Sequence, residues 1–143
     1  SGISVVLSVA ACVAFGSVVK GTVGFAAISS GIEKLALHPL ITMGIGTNVL
    51  AAAMASGTGA VTTATEMFGI PYVAAGGNAE LAHRIIGIAS QGFDTLPHNS
   101  GVITYISACD CTYKDSYGPI FMISLVWPCV LTVIAILMGL VFY

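Results

Sequence analysis

Gly92-Phe93-Asp94-Thr95-Leu96-Pro97-His98-Asn99-Ser100-Gly101 lies between two apolar segments, 85–89 and 102–108. Without it, the two flanks would join into one membrane-crossing helix. Glycine, proline, Asp, His and Asn interrupt that helix near its middle. In hydrocarbon every backbone N–H and C=O needs a partner, so irregular backbone survives there only inside protein or beside a water-filled cavity. An ionisable residue at such a depth points to function. Helices broken in mid-membrane are also how secondary transporters build a substrate and ion site, because the half-helix ends supply partial charges and free amides. The segment 94–101 is therefore the candidate site.

Composition sets the environment. Charged residues make up 7% of the 143 residues and hydrophobic ones 57%, with a mean hydropathy of +1.00. Soluble domains carry roughly a quarter charged residues. Four Lys/Arg and six Asp/Glu cannot coat a water-facing surface of this size. The composition predicts an all-α integral membrane protein. Nucleic-acid binding requires a basic patch, and these few cations form none. Cys109 and Cys111 have no second Cys pair and no neighbouring His, which argues against zinc and leaves the metal-ligand set empty. The start, Ser1-Gly2-Ile3, has neither an initiator Met nor a basic leader, so 3–19 is not read as a signal peptide and the chain reads as a piece of a longer protein.

Outward from the interrupted helix, the chain divides as follows. Residues 1–19 are uncharged and read as a transmembrane helix closed by Lys20. In 20–38, Phe25, Ile28, Ile32, Leu35 and Ala36 recur every three or four residues, the pattern of an interfacial helix with flanking loop. Residues 39–69 read as a re-entrant hairpin with arms 40–55 and 60–67 and a tip at 56–59, because Gly57 and Gly59 weaken a helix interior. One long tilted helix is the competing reading. Residues 66–78, with Gly69, Pro71, Gly76 and Gly77, read as a loop. The broken transmembrane helix covers 79–108, with Asn78 as its N-cap. Polar 110–116 is expected outside the membrane, and 117–143 reads as the last transmembrane helix, with Pro128 a candidate kink.

Read in order, Phe15-Gly16-Ser17-Val18-Val19, Gly24-Phe25, His38-Pro39-Leu40, Ala55-Ser56-Gly57, His83-Arg84, the run Asp94-Thr95-Leu96-Pro97-His98-Asn99 and Tyr113-Lys114-Asp115-Ser116-Tyr117 make a recognisable series. It resembles the C-terminal part of the gluconate:proton symporter (GntP) permease family, in particular the branch of hydroxybutyrate permeases. The resemblance implies two inverted repeats, each with a re-entrant hairpin and a discontinuous helix, as in a larger ion-transporter group. Residues 1–143 would be the C-terminal transmembrane portion, carrying the second repeat. The first, N-terminal repeat would be its partner within the same protein, and homo-oligomerisation is left open. It further implies a multi-pass protein of the inner (plasma) membrane that carries a small organic acid such as gluconate or hydroxybutyrate by proton symport. No cofactor other than the coupling proton is implied. Relatives in the larger group place Ser-Asn-Thr at the hairpin tip. Here the tip is Ser56-Gly57-Thr58, and the missing Asn argues against a sodium site of that kind.

Each candidate residue has a functional and a structural reading. Asp94 is a proton carrier, or it caps the half-helix that follows, with Pro97 in the first turn. His98 is a second proton site, imidazole being the side chain that exchanges protons nearest neutral pH, or a neutral hydrogen-bonding group. Thr95, Asn99 and Ser100 donate to a carboxylate or polyol, or merely satisfy the broken backbone. Ser56, Gly57 and Thr58 face the same choice, since hydroxyls in helices often bond back to their own turn. Asn48 needs a partner in hydrocarbon, and Arg84 is the cation nearest the pocket. Two other classes compete with a carrier. One is a channel or structural subunit. The other, an intramembrane protease, is disfavoured because Met54 stands where a serine protease of this kind carries Gly and Asp110 falls in the polar loop.

Overall fold

The computed structural model describes residues 2–34 and 37–142. Ser1, Leu35, Ala36 and Tyr143 fall outside, so the Leu35 and Ala36 positions of the amphipathic pattern lie beyond the described residues. The described residues are helical, with no strand among them.

Helix α1 spans Gly2–Lys20 and α2 spans Val23–Glu33, where Thr22 Oγ1 accepts the Phe25 N–H at 3.2 Å as N-cap. Phe25 and Ile32, seven residues apart and on one face, are buried, while Ile28 is exposed. Helix α3, Pro39–Met54, starts with proline at its first position, where the absent N–H costs nothing. It ends at Ala55, which adopts the left-handed conformation with φ 48°. Ser56 is extended and caps α4, Gly57–Ala64, by accepting the Gly59 N–H at 3.2 Å. The chain thus reverses at Ala55 and Ser56. The two helices then lie side by side, with Thr63 bonded to Met54 and the Phe68 ring packed where Gly46 has no side chain.

The loop expected over 66–78 is corrected. Helix α4 passes through a π-turn, Thr65–Gly69, into α5, Ile70–Ala74, and leaves the helical path only at 75–78. Proline in a regular helix clashes with the carbonyl four residues back. The wider turn, closed by the Ile70 N–H on Thr65 O, admits Pro71 without ending the helix.

Helix α6, Ala79–Ala89, is capped by Asn78, whose Oδ1 accepts the Leu81 N–H at 3.0 Å. Leu81, Ala82, Ile85, Ile86 and Ala89 face inward, whereas Glu80, His83 and Arg84 face outward. Helix α6 packs against α3 and against Trp127–Phe142, the apolar part of the last helix. Gly44 admits Ile136 and Thr132, and Gly139 admits Leu81 and Leu40. Small residues at helix crossings permit this close van der Waals approach, the main attraction where lipid competes equally for apolar surface.

Past α6 the helix stops. A 3-10 turn, Phe93–Thr95, leads through extended Leu96 and a turn at 97–98 to α7, Ser100–Ala108. The final segment runs as α8, Tyr113–Phe121, a π-turn, Met122–Val126, and α9, Trp127–Phe142. It starts at Tyr113, four residues ahead of the expected 117. Thr112 Oγ1 accepts the Asp115 N–H at 3.3 Å as N-cap and in turn donates to the Asp115 carboxylate, which begins the helix at Tyr113. Among the described residues, Tyr113–Phe142 is the one helix long and apolar enough to cross a membrane. It carries Trp127, Val133, Leu137, Met138 and Val141 on its exposed surface.

Candidate functional site

Wherever a helix ends, its last carbonyls and first amides lose their internal partners. Two such sets meet in this protein. One belongs to the turn between α3 and α4, the other to the interruption between α6 and α7.

The break supplies what the turn lacks, with matching polarity. At the carbonyl end of α3, the Asn99 amide donates to Ala55 O at 2.9 Å. His98 Nε2 lies 3.0 Å from Ala52 O; a carbonyl can only accept, so that nitrogen bears the proton. At the amide end of α4, the Gly57 N–H donates to Asp94 Oδ1 at 2.7 Å. The same carboxylate oxygen receives the Asn99 amide at 2.9 Å. Donors therefore face the negative end of one helix dipole, and an acceptor faces the positive end of the next. Hydrogen bonds to an ionised group are the stronger kind.

Gly57 makes the approach possible. A Cβ there would lie 3.0 Å from both Asp94 Oδ2 and Ser90 O. The glycines of the tip are thus required for contact, while the reversal itself is made by Ala55 and Ser56. Gly59 serves in the same way, its missing side chain leaving room for the end of Met54.

Asp94 does not cap the half-helix. That helix begins at Ser100, and Asn99 is its N-cap, with Oδ1 accepting from Gly101 N at 2.6 Å and Val102 N at 3.2 Å. Pro97 precedes the cap and lies outside the first turn. The carboxylate of Asp94, five residues before Asn99, is taken by Gly57 across a gap of 37 residues in sequence.

The other candidates are placed as follows. Ser56 is the cap of α4, and Thr58 is exposed. Thr95 Oγ1 is buried with no hydrogen-bond partner, which no other described side-chain N or O atom is. The side chain of Ser100 lies outside what the structure describes. Arg84 pairs with Glu80 on the exposed face of α6 and does not reach the break. Asn48 finds its partners in Gly44 O, at 3.1 Å, and in the Cys129 thiol, which donates to its Oδ1 at 3.8 Å. A Cβ on Gly92 would collide with that same Oδ1. Sequence reading missed this junction of three elements, because nothing local ties Asn48, Gly92 and Cys129 together. A cavity of about 450 Å³ lies elsewhere, between the π-turn with α5 and α6, and is lined mostly by apolar groups such as Ile70, Val73 and Ile86.

No family model and no solved structure matches the chain. The chain is similar to the uncharacterized transporter YxjC of Bacillus subtilis (strain 168), with 36% identity over 116 residues, 78% of this chain. It spans 25% of that protein's length. That likeness, the composition and the Tyr113–Phe142 helix together mark the chain as a helical membrane protein.

Proposed function

We propose that this chain forms the substrate- and ion-handling part of a secondary active transporter in the inner (plasma) membrane. It is a multi-pass protein that carries a small organic hydroxycarboxylate, such as gluconate or hydroxybutyrate, by proton symport. The likeness to a transporter supports a transport role rather than an enzymatic one. The resemblance to gluconate permeases supports the substrate class and the coupling ion.

The observation that carries this reading is the bridge from the Gly57 N–H through Asp94 Oδ1 to the Asn99 amide. Helix lengths support its placement at mid-depth. Eleven residues of α6 and nine of α7 give roughly 16 and 14 Å. Each is about half of the ~30 Å hydrocarbon thickness. Helix α3, at 16 residues, is about 24 Å long and too short to cross upright, as a re-entrant arm would be.

The coupling mechanism follows from the donors involved. An ionised Asp94 occupies the Gly57 N–H and the Asn99 amide, so no second carboxylate can use them. A proton arriving on Asp94 turns one of its oxygens into a donor and weakens its hold on both groups. The freed N–H groups, backed by the dipole of α4, then donate to the substrate carboxylate. Thr95 Oγ1, buried and unpartnered, can bond a substrate hydroxyl. Proton and anion load together, because the donors that the anion needs are released only when Asp94 takes up the proton.

The test is Asp94→Asn in the full-length protein. Insertion is expected to persist, because the amide oxygen still accepts from Gly57, while uphill proton-driven accumulation of gluconate and hydroxybutyrate is lost. Accumulation at the wild-type level would remove Asp94 as the coupling group. Saturable uptake and counterflow in the wild type separate a carrier from a channel.

A further inference from the structure

The break frees two carbonyls that the hairpin turn does not reach. In an unbroken helix, Thr95 O would accept from Asn99 N, and Pro97 O from Gly101 N. Here Asn99 N donates to Leu96 O at 2.8 Å, and Gly101 N donates to the Asn99 side chain. Thr95 O is part-buried and Pro97 O lies at the exposed edge of the break, and a backbone carbonyl kept from water without a donor is costly. Both are met from the last helix. The Tyr117 hydroxyl donates to Thr95 O at 3.1 Å, and the Tyr113 hydroxyl donates to Pro97 O at 3.1 Å. The two tyrosines are four residues apart and share a helix face, with ring centroids 6.1 Å apart, and Phe121 extends the row at a further 6.1 Å from Tyr117. The N-cap Thr112, bonded to Asp115, starts the helix at Tyr113 and fixes where that row begins.

We propose that Tyr113 and Tyr117 are positioning residues, a two-point strap that holds segment 95–97 off the α-helical path and so presents His98 and Asn99 to the hairpin tip. The bonded carbonyls bracket the segment. One belongs to Thr95, whose own hydroxyl is the buried unpartnered group. The other belongs to Pro97, which immediately precedes His98 and Asn99. Through this strap the last helix, which carries no group of the coupling bridge, sets the geometry of the site. The strap itself stands on hydrogen bonds within the chain; its effect on transport rests on the function proposed above.

The experiment uses the full-length protein reconstituted in liposomes, as wild type, Tyr117→Phe, Tyr113→Phe, the double variant and Tyr105→Phe. Tyr105 is an exposed tyrosine on α7 and serves as control. Amide hydrogen exchange is followed by peptide, and uptake is measured with labelled gluconate and hydroxybutyrate. Loss of one neutral hydrogen bond corresponds to about a three- to tenfold change. Exchange across 92–101 is expected to rise by that factor in each single variant and by more in the double, with α3 and α9 unchanged. KM should rise by a similar factor while the maximal rate stays within about twofold. Unchanged exchange across 92–101 in the double variant overturns the strap. Faster exchange with unaltered KM overturns its positioning role. A wild type that takes up neither probe counts against the transport reading alone, and the exchange comparison still decides the strap.

Discussion

Two kinds of helix interruption occur in this chain, and they are handled by opposite means. The π-turns at Thr65–Gly69 and Met122–Val126 each close on the residue directly before a proline, with the Ile70 N–H on Thr65 O and the Trp127 N–H on Met122 O. Each widens the helix by one residue to admit Pro71 or Pro128, and the helix continues. No polar side chain is needed. The break between α6 and α7 cannot be accommodated in this way. Between Ser90 and Asn99 the chain leaves the helical path, and side chains of Asp94, His98 and Asn99 link it to the hairpin turn. Irregular backbone alone therefore does not make a site. A site arises where two irregular stretches complete each other's hydrogen bonding, because such a junction can also be taken apart by a competing ligand.

The sharpest way to break this contrast is Gly92→Ala. Gly92 has φ −65° and ψ −75°, on the right-handed side that Ala also adopts, so the substitution tests mainly space. The added methyl collides with Asn48 Oδ1 and sits 3.1 Å from Cys129 Sγ. Overpacking of this kind costs about 1–3 kcal/mol, and the upper end is expected because three elements converge there. Gly87→Ala and Gly118→Ala, with nothing within 4 Å of the new methyl, should shift stability by no more than about 1 kcal/mol, in the stabilising direction expected of Ala in a helix. Thermal midpoints in detergent check both. Combining Gly92→Ala with Asn48→Ala should recover part of the loss, as coupled neighbours do. An equal effect at Gly87 and Gly92 would mean that the junction is not tightly packed.

Asn99→Ala comes next. It removes the cap of α7, worth about 1 kcal/mol. It also leaves Ala55 O without its donor, for a total of roughly 2 kcal/mol. Asn99→Ser keeps a capping oxygen but cannot span to Ala55. The difference between the Ser and Ala variants then isolates the cap, and the remainder measures the link to the turn. If Ser restores full stability, the bond to Ala55 contributes nothing, and the break is as self-contained as the π-turns.

Much of this architecture is written locally. Gly92, Pro97 and Asn99 forbid a continuous helix through 92–99, and Asn78 announces the start of α6 in the sequence itself. Thr112-x-x-Asp115 was an equally local capping signal, masked by the polarity of 110–116. The loop reading of 66–78 failed for a related reason. Pro71 and Gly69 are helix breakers in isolation, but a π-turn removes the clash that makes proline a breaker. The reversal at Ala55 was not legible, because Ala carries no preference for positive φ and is held there by the bonds that Ala52 O and Ala55 O make to the break. The pairing of Asp94 with Gly57, and of the tyrosines with Thr95 O and Pro97 O, depends on contacts across 37, 22 and 16 residues. No spacing rule within one segment encodes these. The buried, unpartnered hydroxyl of Thr95 was likewise visible only once the fold had closed around it.

The smallest expected effect is the most demanding check on the comparison. Pro128→Ala returns an N–H to the helix interior and removes the reason for the π-turn at Met122–Val126. In a regular helix, replacing proline with Ala would gain about 3 kcal/mol. Here the gain should be below about 1 kcal/mol, because the wider turn has already relieved the clash. The register beyond it is also fixed by contacts that a return to α-helical winding would rotate away, Ile136 against Gly44 and Gly139 against Leu81. The Thr132 hydroxyl still finds the carbonyl of residue 128, which it meets at 2.8 Å. Uptake and amide exchange across 92–101 should match the wild type in the Pro128→Ala variant, in contrast to Asn99→Ala. If Pro128→Ala loosens 92–101 or alters uptake as strongly as a change within the break, the π-turn is part of the moving machinery and the two interruptions are of one kind.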